Sequence, residues 1–109
     1  MFIYNVTTNV NWGIHDAWLE WMQNEHMPAL LKTNCFARYQ LLKLHEQDET
    51  DGPTYVAQYF AESKSLYNRY IQLYADEIRK DYLNKWGNNV FLFRTLLEVI
   101  EEVSPKERT

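Results

Sequence analysis

Asn-Val-Phe-Leu-Phe-Arg-Thr-Leu-Leu-Glu-Val-Ile, residues 89–100, is the stretch that decides the architecture. Its β-branched and aromatic residues predict a strand, the last of the chain. Phe91, Phe93, Leu97 and Val99 oppose Leu92, Leu96 and Ile100, so both parities are apolar and both faces of the strand want cover. The segments before it determine what cover the chain itself supplies.

Upstream, Leu66, Tyr70, Ile71, Tyr74, Ile78, Tyr82 and Trp86 recur at three and four residues and predict one amphipathic helix. Ser63 or Ser65 caps its start, and Gly87 closes it with a left-handed residue. Residues 54–62 set Tyr55, Ala57, Tyr59 and Ala61 against Val56, Gln58 and Phe60, the period of a third strand. Residues 35–45 alternate as a second strand, and the polar, acidic residues 46–53 join the two as a hairpin. The first helix is predicted over residues 14–31. Residues 2–10 alternate Phe2, Tyr4, Val6, Thr8 and Val10 against Ile3, Asn5, Thr7 and Asn9, which reads as the first strand.

The order strand, helix, strand, strand, helix, strand defines an α+β, ferredoxin-like βαββαβ antiparallel sheet with both helices on one face. Residues 1–100 form that single domain; residues 101–109 are a charged tail containing Pro105. The other face of the sheet is left bare. A second copy of the chain is the economical cover, so the expected assembly is a homodimer closing as a dimeric α+β barrel. Such obligate contacts bury on the order of 1,600 Å² or more.

Composition removes several function classes. Fifteen acidic residues against eleven basic ones give a net charge of −4, which disfavours non-specific phosphate binding, so no nucleic-acid partner is expected. An RNA-recognition motif shares the element order, but residues 53–60 lack its basic residue and glycines. No apolar run approaches the roughly 18 residues of a membrane span, and no leader precedes the first strand, so the expected setting is cytoplasmic, without membrane contact. The lone Cys35 has no partner for a disulfide and reads as an inert thiol. No His-x-x-x-His pair exists, His15 stands three helical turns from His26, and His45 adjoins the acidic loop; no metal and no cofactor are expected.

The candidate chemistry lies in Trp-Leu-Glu-Trp-Met-Gln-Asn-Glu-His-Met-Pro, residues 18–28. At about 100° per residue, Ile14, Trp18, Trp21, Met22 and Ala29 share an apolar face with Glu25 at its centre and His26 at its edge. Pro28 lacks an N–H and collides with the carbonyl of Asn24, so the helix kinks or ends there. A carboxylate on an apolar face must be paired, hydrogen-bonded or protonated. Glu25 is therefore either a general base or ligand anchor flanked by Trp18, Trp21 and Met22, or a structural carboxylate paired with Arg94, Arg38 or a tyrosine hydroxyl. His26 is either a proton shuttle or a haem or metal ligand, or it caps the kinked helix end or meets backbone carbonyls. Asn5, Gln58 and Arg94 interrupt apolar parities and either line a pocket or satisfy one another. The tyrosine row of the second helix reads as core with polar tips.

Ile-Tyr-Asn-Val-Thr (3–7), His-Asp-Ala-Trp-Leu-Glu-Trp-Met (15–22), Glu-His-Met-Pro (25–28), Tyr-Val-Ala-Gln-Tyr-Phe-Ala-Glu-Ser (55–63) and Phe-Arg-Thr-Leu-Leu-Glu-Val (93–99) resemble domain-of-unknown-function family 4286. That resemblance implies a shared fold and carries no activity with it. More distantly, the element order is similar to the dimeric α+β barrel superfamily of antibiotic-biosynthesis monooxygenases, haem-degrading oxygenases and muconolactone-isomerase-like proteins. The resemblance implies a small ligand between sheet and helices, where Glu25 and His26 project. Asn5 resembles the pocket asparagine of the haem-degrading oxygenases, but no matching tryptophan and histidine stand on the second helix. His26-Met27-Pro28 resembles the His-x-Pro signature of an ethyl-ether-degradation-associated branch. The expected function is binding of a small hydrophobic molecule; the alternatives are a cofactor-independent monooxygenase- or isomerase-like enzyme, and a non-catalytic interaction module.

Overall fold

A computed structural model describes residues 1–105. Strands β1 (Phe2–Val10), β2 (Arg38–Lys43), β3 (Thr54–Ala61) and β4 (Val90–Glu98) form one sheet in the order β2-β3-β1-β4, with every neighbouring pair antiparallel. The two crossovers interleave, each passing over one intervening strand, and this is the ferredoxin-like arrangement expected of the element order. In the β1 to β2 crossover, a short 3₁₀ turn at Trp12–Ile14 leads into α1 (His15–Trp21), a π turn (Met22–His26) and α2 (Met27–Leu31). The β3 to β4 crossover contains α3 (Lys64–Leu73) and α4 (Ala75–Trp86). The described elements run from Phe2 to Glu98; of the expected tail, residues 106–109 lie outside the described residues.

Two local outcomes differ from the periodicity. Residues 63–86 hold two helices because Tyr74 has φ −126°, outside the helical range. The break is invisible to apolar spacing because hydrogen bonds continue across it, from Tyr74 N–H to Tyr70 O (2.9 Å) and from Ile78 N–H to Tyr74 O (3.3 Å). Strand β2 starts at Arg38 because the preceding residues close α2: Thr33 Oγ1 donates to Leu30 O (2.6 Å) and accepts from Cys35 N–H (3.2 Å). Ser63 Oγ caps α3 by accepting from Leu66 N–H (3.2 Å), and Gly87, with φ +52°, ends α4.

The period of two sorts the sheet. Tyr4, Thr8 and Val10 of β1 and Tyr55, Ala57 and Tyr59 of β3 are buried under the helices. Much of that core is aromatic: the Tyr4 ring lies 5.5–6.1 Å, centre to centre, from those of Phe36, Tyr59, Tyr67 and Tyr70. The opposite face carries no element of the chain. On it Phe91 is 75% exposed, Phe93 54% and Leu97 44%, with Leu42 and Leu44 open at the far edge. Between these apolar margins runs a row of amides: Gln40 Nε2 donates to Gln58 Oε1 (2.7 Å), and Gln58 Nε2 to Asn5 Oδ1 (3.0 Å). Among the described residues no helix is long and apolar enough to cross a membrane.

The loop before β3 is sewn to the end of β1. Val10 N–H donates to Pro53 O (2.9 Å), Trp12 N–H to Asp51 O (3.1 Å), and Asn9 Nδ2 to Gly52 O (3.0 Å). Gly52 sits there at φ +154°, and a Cβ added to it would stand 1.7 Å from the carbonyl oxygen of Val10. Gly52→Ala therefore has to move main chain, and overpacking with backbone strain costs about 3 kcal/mol. Urea unfolding is expected to show that loss; an unchanged midpoint would contradict this turn geometry.

Candidate functional site

The π turn at Met22–His26 organises the site. Met27 N–H donates to Met22 O, five residues back, directly ahead of the proline whose ring would strike the Asn24 carbonyl in a regular helix. A π turn holds one extra residue, so the positions after it rotate by about one residue's 100° relative to an unbroken helix. The rotation overturns the expected placement of Glu25: its side chain is exposed, not set in the apolar face. His26 takes the inward place, and Met27 and Leu30, outside the predicted stripe, are fully buried.

His26 is half-buried, its ring stacked on Trp21 (centroids 4.8 Å apart, 23° between planes) and edge-on to Tyr82 (5.1 Å). Burial, and next to it the nearby Arg94 guanidinium, push its pKa down to about 4. It is neutral at pH 7. The ring forms a wall between two spaces. On the inside is a void of about 20 Å³ between sheet and helices, lined by His26, Ile78, the phenols Tyr4, Tyr59 and Tyr70, and the guanidinium groups of Arg79 and Arg94. That volume holds one or two waters. On the outside is a groove of about 510 Å³ between the first helix and α4, walled by Trp21, Glu25, His26, Ile78, Asp81 and Lys85.

Polar groups around the void are unevenly satisfied. Arg79 Nη2 donates to the Tyr4 hydroxyl (3.0 Å), and the Trp18 indole N–H donates to the Tyr82 hydroxyl (2.8 Å). Tyr59 Oη and Arg79 Nε are buried with no hydrogen-bond partner, and both belong to residues lining the void. Burial raises the Tyr59 and Tyr70 hydroxyls well above the ordinary phenol range, so both stay protonated.

The candidates read from the sequence thus separate. Trp21, Glu25 and His26 share the outer groove, and His26 and Arg94 share the inner void. Trp18 and Met22 are sealed in the core, too deep to flank a ligand. Asn5 lies on the bare sheet face, bonded to Gln58, because its odd position in β1 points away from the helices. Arg79 was not singled out by the sequence; its row of α4 (Ile78, Tyr82, Trp86) signalled core, and only the three-dimensional neighbourhood turns its stem toward Tyr4. Among the described residues, no three His, Cys, Asp or Glu side chains converge as a metal site.

Over residues 1–100 the chain matches the family described as Domain of unknown function (DUF4286), and it belongs to that family. No curated protein matches it. Among solved structures it is similar to a dimeric ferredoxin-like protein from an uncultured marine organism, with TM-score 0.73, 11% identity, and 94% of this chain and 97% of that one covered. It is also similar to a candidate antibiotic biosynthesis monooxygenase from Deinococcus radiodurans, with TM-score 0.65, 17% identity, and coverage of 95% and 97%. At those identities the likeness establishes the fold.

His26 links fold and stability to pH. Its ordinary value of 6.5 applies in the unfolded chain and about 4 in the folded one, so protonation favours unfolding. The stability held above pH 6.5 is lost as pH falls toward 4, by about 3 kcal/mol across that window. Urea unfolding at stepped pH is expected to give a steeper acid loss for the native chain than for His26→Gln. Parallel profiles would place His26 in water.

Proposed function

We propose that the chain is a cytoplasmic homodimer that closes as a dimeric α+β barrel by packing two bare sheet faces together, and that each subunit binds one small, largely apolar molecule beside His26. The ligand reading rests on one observation: the His26 and Ile78 side chains wall both an outer groove of about 510 Å³ and an inner void carrying unsatisfied polar groups. A groove of that volume is ordinary for a small-molecule site, and its walls set the apolar Trp21, Ala29 and Ile78 among the polar Glu25, Asp81, Asn84 and Lys85. The pairing of sheets is supported by the exposed Phe91, Phe93 and Leu97 and by the dimeric ferredoxin-like neighbour. The single buried thiol of Cys35 suits a reducing compartment.

Binding is favoured over proton-transfer chemistry by the basicity of the groups present. An imidazole with a pKa of about 4 is a weak base near neutrality, and Glu25 is exposed to water. A monooxygenase- or isomerase-like reaction, which the second structural neighbour brings to mind, would have to draw on the ligand's own reactivity. The acidic net charge remains the argument against a nucleic-acid partner.

Two measurements test the two halves separately. Phe93→Glu, a charge placed on the apolar β4 margin of the bare face, is expected to halve the mass seen by light scattering while leaving the circular dichroism unchanged; a native chain that is already monomeric at micromolar concentration overturns the dimer. For the site, titration with indole and benzyl alcohol is expected to give saturable shifts at the His26 ring and the Ile78 methyls, and Ile78→Trp to suppress them. Shifts scattered over the surface, or none, overturn the ligand reading.

A further inference from the structure

The inner void has a charge pattern that the core around it does not need. Two arginines, Arg79 and Arg94, belong to its lining, and no Asp or Glu does. Among the described residues neither arginine is in an ion pair with a carboxylate. Arg79 is half-buried and spends one of its N–H groups on Tyr4, while its buried Nε–H has no acceptor. Tyr59, 1% exposed, brings a hydroxyl without a partner to the same space. A buried donor without an acceptor costs roughly 1–3 kcal/mol, and here three residues, Tyr59, Arg79 and Arg94, bring two such groups and two positive charges, Arg79 supplying one of each, to the lining of one small volume. What is missing is an acceptor, and a negative one.

Resting on the ligand reading above, we infer that the void is a carboxylate subsite: a small planar acid binds head-first, with its carboxylate between Arg79 and Arg94 and within reach of the Tyr59 hydroxyl, and its apolar body against His26 and Ile78. Planarity follows from the chemistry of the site. A guanidinium offers parallel N–H groups that match the two oxygens of a carboxylate. The phenols and neutral imidazole around it supply donors and an apolar floor without a competing negative charge. Arg94, exposed on the helix-facing side of the edge strand, forms the rim through which the head group enters.

The test reads the Arg79 Nε–Hε resonance by ¹⁵N-correlated NMR at constant ionic strength, with acetate and benzoate as probes, benzyl alcohol as the uncharged comparison and sodium chloride as the ionic control. Acetate and benzoate are expected to move the resonance saturably, with benzoate at least tenfold tighter. Arg94→Gln, a change at an exposed edge position, should weaken benzoate by tenfold or more and leave the benzyl alcohol response alone. A shift that merely follows sodium chloride, or carboxylates that bind equally well to Arg94→Gln, overturns the subsite. Benzyl alcohol shifting His26 and Ile78 while neither carboxylate reaches Arg79 overturns the acid and keeps the pocket. Silence from every probe at His26, Ile78 and Arg79 overturns both, leaving water as the occupant of the void.

Discussion

Four strands make a sheet with two faces, and the helices of this chain cover one. Strand alternation then assigns every sheet residue to a side. Tyr4, Val6, Thr8 and Val10 go to the helices, and Ile3, Asn5, Thr7 and Asn9 to the bare face. The pairing of β1 with β4 extends the same division, matching Val6 with Arg94 and Thr7 with Phe93. Neighbours in sequence, Phe93 and Arg94 thereby belong to different surfaces with different work: one to an exposed apolar face, the other to the space beneath the helices. A one-residue slip of β4 would exchange them. The register of the sheet, fixed by the Gly52-Pro53 anchor at one end and by Val99 N–H to Met1 O (2.9 Å) at the other, is thus the condition for both the bare apolar face and the void beneath the helices.

The bare face is not uniformly greasy, and its layout bears on specificity. The central row of Gln40, Gln58 and Asn5 satisfies itself within one subunit, and the Arg38 guanidinium covers the Phe60 ring at 3.6 Å. Those contacts remove most of the cost of leaving amides and a cation near an interface centre. The unsatisfied apolar area is displaced to the β4 margin, at Phe91, Phe93 and Leu97. In the proposed dimer, a partner sheet that placed its own margin there would bury the most apolar surface, with apolar margins supplying the drive and amide rows the alignment.

Nearly all of the fold was legible because period two and period 3.6 survive averaging over small irregularities. The strands appear within a few residues of their predicted limits, and the β2 shortfall traces to side-chain bonds of Thr33 that no apolar pattern encodes. The site was legible only in part, and one residue explains why. Pro28 announces a defect, but the sequence does not say whether the helix bends, stops or widens, and the three outcomes rotate the following residues differently. A widened turn sends Glu25 to water and His26 inward. An error of one residue in phase therefore exchanged the two most conspicuous polar side chains, while Trp18, ahead of the turn, and Met22, its first residue, kept the burial their spacing implied.

Arg79 was illegible for a different reason. An arginine beside an apolar row reads as a solvated flank, and its meaning depends on tyrosines that are distant in sequence. The aromatic core supplies many hydroxyl and indole groups that must each find a partner once buried. Several do so at a distance: Trp18 with Tyr82, His15 Nε2 with Tyr55 (2.8 Å), Arg79 with Tyr4. A core that has solved this problem repeatedly leaves it unsolved at Tyr59, Arg79 and Trp86, and two of the three, Tyr59 and Arg79, belong to the lining of one void. Replacing Tyr59 by phenylalanine would remove the orphan hydroxyl with no loss of ring packing. In the proposed carboxylate subsite the hydroxyl and the guanidinium act together, as donors to one group whose lone pairs reach both.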